Sequence, residues 1–225
     1  MSMKCVVCTN TNPENKNSPG ILKFLNKKMT KILNKIWDYI VLDSEIIQET
    51  ESAKHNDIGF DINWRDDRRD NFDWTLLMWA VFYNREELIR YFLTYPDINI
   101  NNKDCDGWTA LYISCYTNNV LIIKLLLGHK DIDVNIQNRF GQTGLHNACF
   151  NNNIEIVREL LLDARVDIWI RDKDGLSARD IAMQNRCRGI ANMLKRIGRM
   201  SLLRILNKAL CRDISRMIIE EYVGV

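Results

Sequence analysis

The sequence predicts an all-α solenoid of about four helix-turn-helix repeats with helical caps at both ends. Three observations carry this. A short phrase recurs at a fixed interval: Asp73-Trp74-Thr75-Leu76-Leu77, Gly107-Trp108-Thr109-Ala110-Leu111, Gly141-Gln142-Thr143-Gly144-Leu145 and Gly175-Leu176-Ser177-Ala178-Arg179 set Thr75, Thr109, Thr143 and Ser177 34 residues apart. The apolar columns Ile89, Ile123, Val157, Ala191 and Phe92, Leu126, Leu160, Leu194 keep the same period, and so do Asn84, Asn118 and Asn152. Columns that share one phase define a structural repeat.

Residue order within a repeat sets its elements. A Gly, or Asp73 in the first repeat, precedes a Thr or Ser, a pairing suited to a tight turn that feeds a helix N-cap. The first helix carries apolar and small residues at helical spacing, such as Leu111, Ser114 and Cys115 or Leu145, Ala148 and Cys149, so a neighbouring helix can approach closely. Asn84, Asn118 or Asn152 then ends it, because Asn tolerates the left-handed conformation. A second helix follows, clear in residues 122–127 and 154–162, and the chain returns through an extended segment such as 131–136.

The phrase Gly141-Gln142-Thr143-Gly144-Leu145-His146-Asn147-Ala148-Cys149, followed by Asn152-Asn153-Ile154-Glu155-Ile156-Val157, resembles the ankyrin repeat. There are departures. Leu76, Ala110, Gly144 and Ala178 stand where the family usually has Pro, and only the third repeat keeps the His, as His146. The 34-residue period exceeds the family's usual 33, the first loop from Trp64 to Asn71 is longer still, and Arg179 and Asp180 mark the fourth repeat as degenerate. The expected organisation is a disordered tail at 1–20, a helical cap or decayed repeat at 21–60, repeats at about 61–96, 97–130, 131–164 and 165–197, and a helical cap or F-box-like tail at 198–225.

Composition narrows the function classes. With 46% hydrophobic and 27% charged residues, the 225-residue chain has the make-up of a soluble globular protein. A net charge of +2 argues against general nucleic-acid binding, which needs a concentrated basic patch. No secretory signal and no stretch of membrane-spanning length is visible, so the seven cysteines suit a reducing cytoplasm, with the nucleus as the other compartment. Cys5 and Cys8 have zinc-ligand spacing without a second half-site, so no metal or cofactor is expected. A monomer is expected.

Ahead of the repeats, Ile21, Leu25, Met29, Ile32, Ile36 and Ile40 form a helical stripe with lysines largely off it. This basic amphipathic helix fits a cap over the open end of the solenoid, or a helix held at a membrane surface. The cap is favoured, because residues 58–63 end like the other return loops. Glu45, Glu49 and Glu51 read as a solvated helix face.

The resemblance implies that partners meet the turns and the exposed ends of the first helices. Carried onto this chain, those positions include Trp74, Phe82, Tyr83, Trp108, Tyr116, Phe140 and Phe150, an aromatic groove across three repeats. Rings folded against the neighbouring repeat, stabilising the stack, would explain the same residues. In the tail, Leu206, Leu210, Ile214, Met217, Ile218 and Tyr222 belong to an apolar pattern that either caps the fourth repeat or docks a ligase. Residues 210–223 resemble the F-box-like element ending many poxviral ankyrin proteins, and also a SOCS box; both imply cullin-ligase components as partners. Cys211 replaces the usual Pro, and the spacing is off by one. Gly-rich phosphate loops, nucleophile elbows and His-Glu metal motifs are missing, so an enzyme is not expected. The reading is a protein-interaction module, with ligase adaptor and membrane attachment as alternatives.

Overall fold

A computed structural model describes residues 32, 43, 46–48, 50, 51, 61–65 and 73–199. The tail residues from Leu206 to Tyr222, the Cys5 and Cys8 pair and most of the 21–42 stripe lie outside the described residues. Helices α1 (Leu76–Phe82), α3 (Ala110–Tyr116), α5 (Gly144–Phe150) and α7 (Ala178–Gln184) form an inner row. Helices α2 (Glu86–Phe92), α4 (Val120–Leu127) and α6 (Ile154–Leu162) form an outer row behind them, and a further helix, α8, covers 188–199. Among the described residues there is no strand, only two isolated bridges, Arg65 to Thr75 and Arg171 to Ser177. The all-α repeat solenoid is therefore the observed fold.

The inner helices are seven residues long, too short to persist alone in water. Caps and packing hold them. Thr75, Thr109 and Ser177 accept from the backbone N–H three residues on, at 3.3, 3.2 and 3.3 Å. Ala80, Ser114, Ala148 and Ala182, one repeat apart, are fully buried and let inner helices meet closely. The Ser114 hydroxyl is satisfied by the Leu111 carbonyl at 2.7 Å. The Ile89 and Phe92 columns are buried through all four repeats, forming the continuous core between the rows.

Two columns take the left-handed backbone that the sequence predicts. Asp73, Gly107, Gly141 and Gly175 have φ of 60, 78, 78 and 77°, and Asn84, Asn118 and Asn152 have 58, 59 and 56°. Arg186, at 60°, adopts that conformation without the help of Asn chemistry.

Loops are zipped by side-chain amides. Asn63 donates to the Asp97 carbonyl and accepts from the Asn99 N–H. Asn101 does the same to Asp131 and Asp133, and Asn135 to Arg165 and Asp167. Asn101 and Asn135 are 34 residues apart but Asn63 and Asn101 are 38 apart, so the first loop is four residues longer. The ladder ends at Trp169, the register equivalent in the fourth repeat.

Ahead of the repeats, Ile32, Ile46 and Thr50 are helical and buried. Asp43 pairs with Arg85 at 3.1 Å, and Glu51 accepts from the Tyr91 hydroxyl at 2.6 Å. Glu51 is thus a contact to α2 and not the solvated residue expected from its helical spacing.

Candidate partner-binding face

The turns that start α3, α5 and α7 are each built on one side chain. Asp104 Oδ1 accepts from the N–H of Asp106 and Trp108, Asn138 Oδ1 from Phe140 and Gln142, and Asp172 Oδ1 from Asp174 and Leu176. Successive turns are then joined by backbone bonds, Arg139 N–H to the Asp106 carbonyl at 2.8 Å and Lys173 N–H to the Phe140 carbonyl at 3.0 Å. The turn tips form a fixed row.

Phe82, Tyr116 and Phe150 are each the last residue of an inner helix, directly before the left-handed turn. They are 37, 41 and 61% exposed. Phe140, at a turn tip, is also exposed, with the Arg139 guanidinium 4.7 Å above its ring. Arg139 is held there by an ion pair to Asp106 at 2.6 Å. Phe150 has no ring partner among the described residues, so its face is offered to solvent.

Other rings of the expected groove serve the stack. Trp74, expected at the surface, is only 2% exposed. Its centroid lies 4.6 Å from Trp79 and 5.2 Å from Phe82, and its indole donates to Asp104 across the repeat boundary at 2.9 Å. A large ring beside an acceptor in the next repeat gains more from burial than from solvent. Tyr83 and Trp108 are half-buried: Tyr83 stacks on Trp79 at 5.8 Å, and Trp108 lies 5.7 Å from Tyr116. Trp74, Tyr83 and Trp108 therefore stabilise the stack, while Phe82, Tyr116, Phe140 and Phe150 remain exposed.

Sequence reasoning passed over Trp169 and Met183, both more than half exposed. Trp169 breaks the asparagine ladder. Met183 shares a column with buried Val81, Cys115 and Cys149, and that comparison was available in the sequence.

Cys115, Cys149 and His146 sit in inert surroundings. Burial pushes the Cys115 and Cys149 thiols up to about 12, leaving them protonated. His146 Nδ1 accepts from the Thr143 N–H at 3.2 Å and meets the Thr143 hydroxyl at 2.8 Å, so the imidazole works as a turn brace. Burial holds its pKa below the usual value. Among the described residues, no three His, Cys, Asp or Glu side chains cluster as a metal site, and no helix is long and apolar enough to cross a membrane.

A stack of short helix pairs with a projecting turn row defines a repeat-built binding scaffold. Family comparison assigns it: residues 47–138 match "Ankyrin repeats (3 copies)" and residues 125–182 match "Ankyrin repeats (many copies)". The chain belongs to the ankyrin repeat family. The match begins at residue 47, within the segment ahead of the first expected repeat. Compared with curated proteins, the chain has no significant match.

Proposed function

We propose that this chain binds a protein partner across the ends of its inner helices, with Phe82, Tyr116 and Phe150 as the main contacts and Phe140 beside them. The family is one of protein-interaction modules. The observation that carries the finer reading is the exposure of three large rings at one register position in three successive repeats. An aromatic ring is rigid, so burying it in an interface loses little side-chain entropy. The turns that flank the rings are preformed by the Asp104, Asn138 and Asp172 contacts.

The buried, reduced thiols of Cys115, Cys149 and Cys187 support a reducing compartment, cytoplasm or nucleus. The test is affinity purification from cytosol with the full chain and with Phe82→Ala, Tyr116→Ala and Phe150→Ala combined. Proteins retained by the parent and lost from a correctly folded triple variant support the reading. Equal recovery on both would sink it. The ligase-adaptor reading rests on residues 206–222 and is tested alongside by a chain ending at Arg199: cullin components must come down with the full chain alone.

A further inference from the structure

The fourth repeat rewrites three register positions that are mostly apolar elsewhere. Leu77, Leu111 and Leu145 are buried in repeats one to three, and their counterpart is Arg179. Leu93, Leu127 and Leu161 become Lys195, and Val120 and Ile154 become Arg188. Met183, whose counterparts are buried, is 56% exposed.

The result is a pair of clefts of 220 and 580 Å³ that share Arg179 and Lys195. Arg171 and Arg199 line the first, Arg186 and Arg188 the second. One carboxylate, Asp180, lies among them, already engaged by the Ser177 hydroxyl at 2.7 Å and 3.7 Å from Arg171. Among the described residues Arg179, Arg186, Arg188, Lys195 and Arg199 make no ion pair, and Arg179 Nε is buried without an acceptor. Trp169, Met183 and Leu194 add apolar walls.

A terminal repeat needs a polar outer face for solubility, which interspersed charges of both signs supply. Residues 185–199 instead hold five cations and no acid, in a chain whose net charge is only +2. Unpaired like charges repel one another, so this arrangement lowers stability unless something anionic sits there. We infer that the two clefts at the end of the fourth repeat form a docking groove for an acidic peptide segment of a protein partner carrying apolar residues between its carboxylates. Arg179 and Lys195, at the junction, pair with successive carboxylates, and the Trp169 and Met183 side chains receive the apolar residues. The groove is separate from the Phe82, Tyr116 and Phe150 face.

The test is fluorescence anisotropy with the full chain and a short fluorescein-labelled peptide of glutamates interrupted by leucines. A lysine-for-glutamate counterpart and a short oligodeoxythymidylate serve as comparison probes. Arg179→Gln with Lys195→Gln should weaken binding of the acidic peptide about 10-fold or more, and added salt should weaken it further. Lys130→Glu, far out on an exposed loop, and the triple alanine variant of the aromatic face should leave it unchanged, which separates failure here from failure of the aromatic face. Circular dichroism confirms that each variant is folded. An unchanged affinity in the double glutamine variant, equal binding of the lysine peptide, or tighter binding of the oligonucleotide overturns the inference.

Discussion

The Trp74 indole donates to Asp104 Oδ2 across the first repeat boundary at 2.9 Å, and the same register one repeat on pairs Trp108 with Asn138. There the match fails. Trp108 Nε1 is buried without an acceptor, and the Asn138 amide nitrogen is a second buried donor without one. Both Asp104 and Asn138 spend Oδ1 on their own turn, so only a carboxylate has an oxygen left over for the indole. Burial raises the Asp104 carboxyl above its usual range even with three N–H donors on it. Relief of that desolvation in Asp104→Asn offsets part of the lost bond, so the expected net loss is about 1 kcal/mol, the low end for a stranded buried donor. Asn138→Asp gives Trp108 its acceptor and removes the stranded amide donor, against the same desolvation that acts on Asp104, so it should gain at most about 0.5 kcal/mol. Urea denaturation of both variants reads the two signs, and a stabilised Asp104→Asn would refute the account.

Glycine in the turn column answers to two different demands. A Cβ on Gly175 would meet nothing within 4 Å, whereas on Gly141 it would lie 2.8 Å from the Lys173 nitrogen. Both have positive φ, so alanine at either carries a left-handed penalty of about 1–2 kcal/mol. Gly141→Ala must also separate the third and fourth turns and stretch the Lys173 to Phe140 bond. Its loss should exceed that of Gly175→Ala by about 1 kcal/mol or more. Equal losses, measured by chemical denaturation, would mean that the turn row is not in tight contact.

Stability should fall on mild acidification through His146. Its folded pKa lies below the ordinary imidazole value of 6.5, from burial first, with the Leu176 and Ile170 carbonyls and Asp172 pulling the other way. The unfolded chain therefore binds this proton more readily than the folded one. A group of that sign contributes stability that is fully present above the unfolded pKa and is lost as pH falls below it toward the folded value. The melting temperature of the parent should drop between about pH 7.5 and pH 5.5 by more than that of His146→Gln. Parallel curves would show that His146 is not the group responsible.

Much of this architecture could be read from the sequence because it rests on period. The Thr and Ser caps, the left-handed Asn column and the buried Ile89 and Phe92 columns each follow from one residue's local chemistry repeated 34 residues on. What escaped depends on contacts between different columns. Trp74 and Trp108 share a position, yet one is buried and the other half-buried, because their acceptors in the next repeat differ by a single atom type. Arg179 reads as decay in a sequence alignment and becomes meaningful only beside Lys195 and Arg188, which lie on a different helix.

The aromatic face offers the sharpest separation of scaffold from contact surface, because Trp74 and Phe150 were candidates on equal terms in the sequence. Trp74 is buried among Trp79, Phe82 and Asp104, so Trp74→Ala removes packing and strands a carboxylate oxygen. Its loss of stability should be about 3–5 kcal/mol, the range for a large buried ring. Phe150 is 61% exposed, and Phe150→Ala should change stability by less than about 0.5 kcal/mol. Against a captured partner the order inverts: Phe150→Ala should weaken binding by about 2 kcal/mol if it is an anchor of the interface. Trp74→Ala, assayed at a temperature where it remains folded, should weaken binding less than Phe150→Ala does. Unfolding curves and titration calorimetry on the two single variants measure both orders. If Phe150→Ala keeps full affinity for a partner that Trp74→Ala loses while folded, the contact surface lies elsewhere on the solenoid and the exposed rings are not its anchors.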